Sequence, residues 1–479
     1  MTRLNWLFKN EPLLISLFIV FWVLILCSPT LFASFSFLLL ALLIIGGIFF
    51  LLFYNRSRWF FLFLMLLLPI QVLPGLKSLS KVYSTTPFKI FGFVFLFVWL
   101  IKLLLTNKKI KLYFPELILL FALVTIAMLT SLLFAVNIKN STQLLFTIFA
   151  MSLFVVCFVN VVNDKIFMEQ VIIAIVLSGF IMSLVVFYQY LVDPTFMTAS
   201  GILPDINNPY ARLRAGGLVR NVGIWGGYAT FFIPFIFSLI YNSRNFLWKT
   251  AYSVILIIVA LGALFSLSRA AFGGLVIGVI LSVFIFERFS AKSMVVLAII
   301  FVLLFSGVGA LAGAGFWARM NMAFSGRDGS VLARSSIFHG VMPVFLENPL
   351  GVGMGNFCEH VAKYTNGNKF DPHNVYVQIL TELGLFGLII YVLLIGCCFV
   401  DLRRVADIAN VAGDIKIRNF SIAVQIALVV FLFQSLFDSL LTEKQLFLIV
   451  GLTVVMRLLY ADKFAVKKPA IRFVLKGEH

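Results

Sequence analysis

Residues able to do chemistry are sparse in this chain and gather in a few short segments. The densest is Glu347–Leu388, ENPLGVGMGNFCEHVAKYTNGNKFDPHNVYVQILTELGLFGL. Asn348-Pro349 ends one helical pattern, and Gly351, Gly353 and Gly355 alternate after it. That spacing suits backbone that turns tightly or approaches something closely. The glycines do not follow a strand of a βαβ unit, which excludes a dinucleotide fold. Asp371-Pro372-His373-Asn374 then stands directly before a long apolar run. Histidine titrates near neutrality, so His373 is the candidate for moving a proton. The structural alternative is a histidine satisfied by backbone groups at a helix start. Upstream, Arg214 and Arg220 lie in RAGGLVRN, and Arg269 follows Ser266-Leu267-Ser268 between two apolar runs. A guanidinium stays charged and grips phosphate through two parallel bonds. An arginine inside a membrane segment is costly, which makes it a functional candidate; for Arg269 the alternative is snorkelling at a helix end. Arg334 completes the set, with pairing to Asp328 or Glu347 as its bland reading.

The elements that must position these residues are set by composition. The chain has 479 residues, 62% hydrophobic and only 12% charged, with a mean hydropathy of +1.09. A soluble domain carries about twice that charge, so the expected solvent is a bilayer. A ruler of about 20 apolar residues per span fits stretches near 12–32, 34–54, 59–75, 87–105, 114–135, 143–162, 168–191, 223–241, 250–267, 270–287, 293–313, 379–400, 419–438 and 445–460. Several are short, so the expectation is an all-α polytopic bundle of about 12–14 transmembrane helices. The run from Pro12 to Leu31 is long enough to span and is read as a first membrane helix rather than a cleaved leader.

Charge orders the bundle. The formal net charge is +18. Basic residues concentrate in alternate short connections: Arg56 and Arg58, Lys102 to Lys111, Arg244 and Lys249, Arg288 and Lys292, Arg403 to Arg418, and the tail from Lys463. That is the pattern of cytoplasmic loops, and it sets both termini in the cytoplasm. The excess also suits anionic lipids, and nucleic acid is excluded as a partner because no aromatic-basic face exists outside the apolar runs. Two opposite connections are long, 193–222 and 314–378. Long loops of this kind are usually functional, and the second contains a helical pattern over Ser335–Glu347. The expected organisation is N-terminal membrane helices over 1–192, a membrane region over 193–460 holding both external loops, and a basic cytoplasmic tail over 461–479. The five cysteines have no metal spacing and imply no disulfide framework.

The Glu347–Leu388 stretch resembles the O-antigen ligase family, which includes O-antigen polymerases. The family pattern is roughly NPxxGxGxxxF followed by HNxxxQxLxExGxxG. Asn348, Pro349, Gly351, Gly353 and Phe357 fill the first half, and His373, Asn374, Gln378, Leu380, Glu382, Gly384 and Gly387 the second. Ser266–Arg269 is similar to the family's SxSR element. Arg214, Gly217 and Asn221 are similar to its RxxGxxxNPN element, with Val222-Gly223 where Pro-Asn is usual. The resemblance implies a glycosyltransferase that takes a glycan from undecaprenyl diphosphate. The acceptor hydroxyl would belong to lipid A-core or to another lipid-linked glycan, at the periplasmic face of a bacterial inner membrane. It implies His373 as general base, with Asn374 or Glu382 orienting it, and Arg269 beside the reaction. Arg214, Arg220, Arg334 and Asn374 would hold the diphosphate, and the anomeric centre would invert. The external loops carry no DxD or clustered carboxylates, so no metal and no cofactor is expected. The glycines at 351, 353 and 355 are read as shaping a loop rather than touching ligand. Two other classes remain open: a transporter or flippase of a lipid-linked or anionic substrate, and a non-catalytic envelope-assembly protein.

Overall fold

The computed structural model describes residues 57–72, 86–106, 115–193, 196, 214–219, 221–287, four positions between 295 and 306, and 329–460. Thirteen α-helices and no strand occur among them. We number them α1 (Ser57–Leu66), α2 (Pro87–Thr106), α3 (Pro115–Ser131), α4 (Ile138–Val161), α5 (Lys165–Leu191), α6 (Val222–Asn242), α7 (Phe246–Phe265), α8 (Arg269–Glu287), α9 (Gly329–Glu347), α10 (Phe357–Val361), α11 (Val375–Val411), α12 (Ile415–Gln434) and α13 (Lys444–Leu459). Seven of them, α4 to α8, α11 and α12, are long and apolar enough to cross a membrane. The chain is thus an all-α polytopic membrane protein. The expected spans at 12–32 and 34–54 lie outside the described residues, as does most of 293–313.

The core is built around α6, which packs against α5, α7, α8 and α12 and is buried over nearly its whole length. Lipid offers no hydrophobic gain for helix association, so close packing at small residues must supply it. A Cβ at Gly226 of α6 would lie 2.4 Å from the Ala271 Cβ of α8. One at Gly274 of α8 would lie 2.3 Å from Gln434 Nε2 of α12. These contacts fix α6, α8 and α12 as one packed triad.

The bundle has two chemically distinct ends. At one, Arg58 pairs with Asp164 at 2.5 Å, Lys165 with Asp414 at 2.6 Å and Lys416 with Glu169 at 2.9 Å. Asn419 Nδ2 donates to Asn242 Oδ1 at 2.8 Å, and Arg457 pairs with Asp401 at 2.6 Å where both are largely buried. Arg58, Asp414 and Lys416 come from connections read as basic, and with their partners they form a belt of cross-helix pairs. The opposite end gathers the segments singled out for chemistry.

Two expectations change. The stretch expected to span at 379–400 belongs to a helix running Val375–Val411, and Gly384 inside it is not helical (φ 71°, ψ −174°). Gly384 therefore breaks the helix. Arg403 and Arg404, expected in a loop, continue its second segment. The helix expected over 335–347 is present as α9, one and a half turns longer at its start.

Candidate active site

The segment 214–219 is pinned by backbone groups. Ala215 N donates to Phe265 O at 3.1 Å, and Arg214 Nε donates to Ser266 O at 3.2 Å. The amides of Gly216 and Gly217 donate to Gln189 Oε1 at 3.0 and 2.8 Å. Leu218 O accepts from the amides of Gln71 and Val72, both at 3.0 Å. Arg214 is thus seated beside the turn that ends α7. Within that turn Leu267 adopts φ 47°, and Ser268 Oγ accepts from Ala271 N at 3.4 Å to cap α8. Arg269 is the first residue of α8 and is exposed. A cation at the positive end of a helix works against the helix dipole. Helix propensity does not explain Arg269; together with the positive end of the α8 dipole it makes a concentrated positive field suited to an anion.

The Asp371–Asn374 turn is held from the other side. Asn374 caps α11: its Oδ1 accepts from the amides of Tyr376 (2.9 Å) and Val377 (3.0 Å). Its Nδ2 donates to Leu436 O at 3.1 Å, Val375 N donates to Ser435 O at 2.8 Å, and the Tyr376 hydroxyl donates to Leu432 O at 3.1 Å. His373 immediately precedes this cap with φ 44° and is half-buried. The left-handed region is uncommon for a residue with a Cβ and is retained where the surroundings enforce it.

The end of α12 joins the two halves. Gln434 Nε2 donates to Ala270 O at 2.7 Å and to Thr230 Oγ1 at 3.2 Å. The next two residues accept the bonds from the His373-Asn374 turn. Farther along, a Cβ on Gly223 would stand 3.1 Å from Asp438 Oδ2 and 3.3 Å from Asn221 Oδ1, the cap of α6. Gly223, with no side chain, therefore lets Asp438 approach the start of α6. Glu443 accepts from the Tyr228 hydroxyl at 2.9 Å and from Gln71 Nε2 at 3.2 and 3.3 Å. The segments bearing Arg214, Arg269 and His373, 159 residues apart in sequence from first to last, are consequently tied to one another through bonds made by Arg214 itself and by neighbours of the other two, Ala270 and Asn374.

The glycine motif is architecture. Val352 N donates to Thr381 O at 2.9 Å and Gly353 N to Glu382 O at 3.1 Å. A Cβ on Gly351 would lie 2.4 Å from Glu382 O, and one on Gly384 would lie 2.4 Å from Pro349 O. The loop thus lies against the break in α11, backbone to backbone. Glu382 is buried, accepting from Gln378 Nε2 at 3.2 Å and, at 3.5 Å, from Phe357 N. It faces these groups rather than serving as the orienting partner expected for His373. The same loop fastens to the α3–α4 connection, because buried Asn356 donates to Ser141 Oγ at 2.8 Å and accepts from Asn137 N at 2.5 Å.

Around this frame the polar loop is tuned by local pairs. Hydrogen bonds from the Tyr364 hydroxyl and from Lys363 (2.9 Å) hold the Glu347 carboxyl below its ordinary range. Burial pushes the His360 imidazole down, and burial together with Asp371, 3.3 Å away, pushes the Cys358 thiol up to about 12. Of the residues selected from sequence, Arg214 bonds to the turn before α8, which Arg269 begins, and the turn holding His373 and Asn374 bonds to the end of α12. Asn374 spends its side chain on the α11 cap and Leu436. Arg334 lies on α9, and Arg220 lies outside the described residues. Gln189, Gln434 and Glu443 were not selected; the signal for the first two is an amide at the end of an otherwise apolar helix, where an unpartnered polar group is expensive.

These features define a multi-pass membrane protein with its polar chemistry collected at one end of the bundle. Residues 254–392, from α7 to the second segment of α11, match the family model described as O-antigen ligase. The match supports a membrane glycosyltransferase-like role in polysaccharide biosynthesis. The match holds Arg269, the glycine loop and His373; Arg214 and the turn after α12 lie to either side of it. No curated protein matches the chain.

Proposed function

We propose that the chain transfers a glycan from a lipid diphosphate, undecaprenyl diphosphate, to an acceptor hydroxyl on lipid A-core or on another lipid-linked glycan. His373 takes the acceptor proton. The freed oxygen attacks the anomeric carbon from the face opposite the diphosphate, the carbon–oxygen bond to phosphate breaks, and its electron pair leaves with the diphosphate. Inversion follows from that approach. Charge grows on the departing phosphate, and fixed cations aimed at it lower the barrier most. Arg269 and Arg214 supply them, with Arg220 and Arg334 as further diphosphate contacts and no metal required. Asn374 acts by holding the turn that carries His373.

The observation supporting this reading is the continuous linkage from Arg214 through Ser266 to α8, and from Ala270 through Gln434 to the His373 turn. The test is transfer by purified protein in lipid nanodiscs, with a lipid-linked donor and each acceptor in turn. His373→Ala is expected to cut the rate by about 10²–10⁴, and Arg269→Ala to act at least as strongly on turnover. Transfer at the wild-type rate by both variants would refute the assignment. Movement of intact donor across the bilayer without covalent transfer would point to a flippase.

A further inference from the structure

The helix α9 has two apolar faces, and only one of them is used. Ile337 and Val341 pack with Phe357, Val361 and Val377 in a buried cluster. On the other face Phe338, Met342 and Leu346 recur every four residues, 58%, 54% and 69% exposed. Leu350, four residues on, is 68% exposed. A contiguous exposed apolar stripe of this kind marks an interaction surface.

The fold says what covers it. Leu350 lies against Gly384, whose Cβ would stand 2.8 Å from the Leu350 carbonyl carbon. Directly after Gly384 the second segment of α11 presents Leu385, Phe386, Ile389, Val392 and Leu393, each about half exposed. The stripe on α9 therefore ends, at Leu350, beside the backbone from which the outward apolar face of a membrane-spanning helix starts. The length of that helix fixes the level. From Leu385 to Arg403, which pairs on the surface with Asp407, the rise is roughly 27 Å at 1.5 Å per residue. This matches a hydrocarbon thickness of about 30 Å. With Arg403 at one boundary, Leu385 and its neighbour Leu350 stand at the other.

We propose that α9 is a membrane-surface helix: its Phe338–Met342–Leu346–Leu350 stripe is seated in the boundary between headgroups and acyl chains on the site side of the bilayer. Depth increases toward Leu350. Helices with one face sunk to this level bind through the buried apolar area. The consequence is that the polar loop carrying Glu347 to Asn374 is held at headgroup height, the level of any lipid-anchored phosphate.

The test uses the full-length chain in nanodiscs. Nitroxide labels at 338, 342, 346 and 350 are compared with Ile389 as a lipid reference and the exposed loop residue Asn366 as a water reference. Collision with oxygen is expected to exceed collision with a water-soluble nickel complex at 342, 346 and 350, with the ratio rising toward the value at 389. Nickel accessibility at all four positions equal to that at 366 would overturn the proposal. So would low access to both reagents with spin–spin broadening, the sign of a second copy on this face. A photo-crosslinking residue at Leu346 in the otherwise unaltered chain gives an independent reading: a lipid adduct is expected, and a protein–protein adduct or none contradicts it.

Discussion

At the residue scale, His373 carries two signals that pull apart in a well-chosen variant. Its φ of 44° lies where a side chain costs about 1–2 kcal/mol relative to glycine. His373→Gly removes that strain along with the imidazole, whereas His373→Ala removes only the imidazole. The glycine variant is expected to melt at a higher temperature than the alanine variant, and both are expected to have lost transfer. If instead the glycine variant works as well as wild type, the imidazole is a structural feature of the turn. Sequence gave the position of this residue but not its backbone, because a positive φ at histidine depends on what grips the flanking residues. Here that grip is the bond pair from Asn374 and Val375 to the turn after α12, some sixty residues away.

At the scale of elements, the glycine motif and the break in α11 form one device. Two backbones meet where Gly351 faces Glu382 O and Gly384 faces Pro349 O, with φ of 95° and 71°. A methyl group at either position meets backbone rather than a yielding side chain. Gly384→Ala and Gly351→Ala are each expected to destabilise by more than the roughly 1 kcal/mol of the left-handed backbone alone. Gly396→Ala, with open space around its Cβ on the same helix, is expected to be neutral or slightly stabilising. Thermal melting of the three variants in one detergent checks the order; equal melting points would mean the loop is not locked to α11. Much of this was legible in sequence, since alternating glycines announce close approach. What they approach was not. A glycine inside an apolar run reads equally as a packing contact or as a break, and only the partner loop decides. The same holds for Gln189, Gln434 and Glu443, whose hydrogen bonds reach residues 7 to 372 positions away.

At the scale of the whole molecule, the bundle separates a belt of ion pairs from an end where helix N-termini and arginines collect. The belt has its own pH signature. Burial alone would raise the Asp414 carboxyl, but hydrogen bonds from Lys165 and Tyr460 outweigh it and hold the group below its ordinary value. A depressed carboxylate adds stability that is complete above its unfolded value of about 4 and is lost as pH falls through the lower folded value. Asp414→Asn is therefore expected to melt below wild type at pH 7, with the gap closing in acid; a gap constant with pH would mean the charge is irrelevant to the clamp. The separation of the two ends also makes the expected orientation testable. Basic connections remain on the cytoplasmic side, so the loop around Asn366 is expected outside and the turn at Val411, 90% exposed beside Arg403 and Arg404, inside. Cys358 is a poor reporter, since a thiol pushed up to about 12 is almost wholly protonated at neutral pH. A cysteine introduced at 366 is expected to react with a membrane-impermeant maleimide on intact spheroplasts, and one at 411 only after permeabilisation. The reverse pattern would turn the arginines and His373 toward the cytoplasm, where a glycan already carried to the outer leaflet could not reach them.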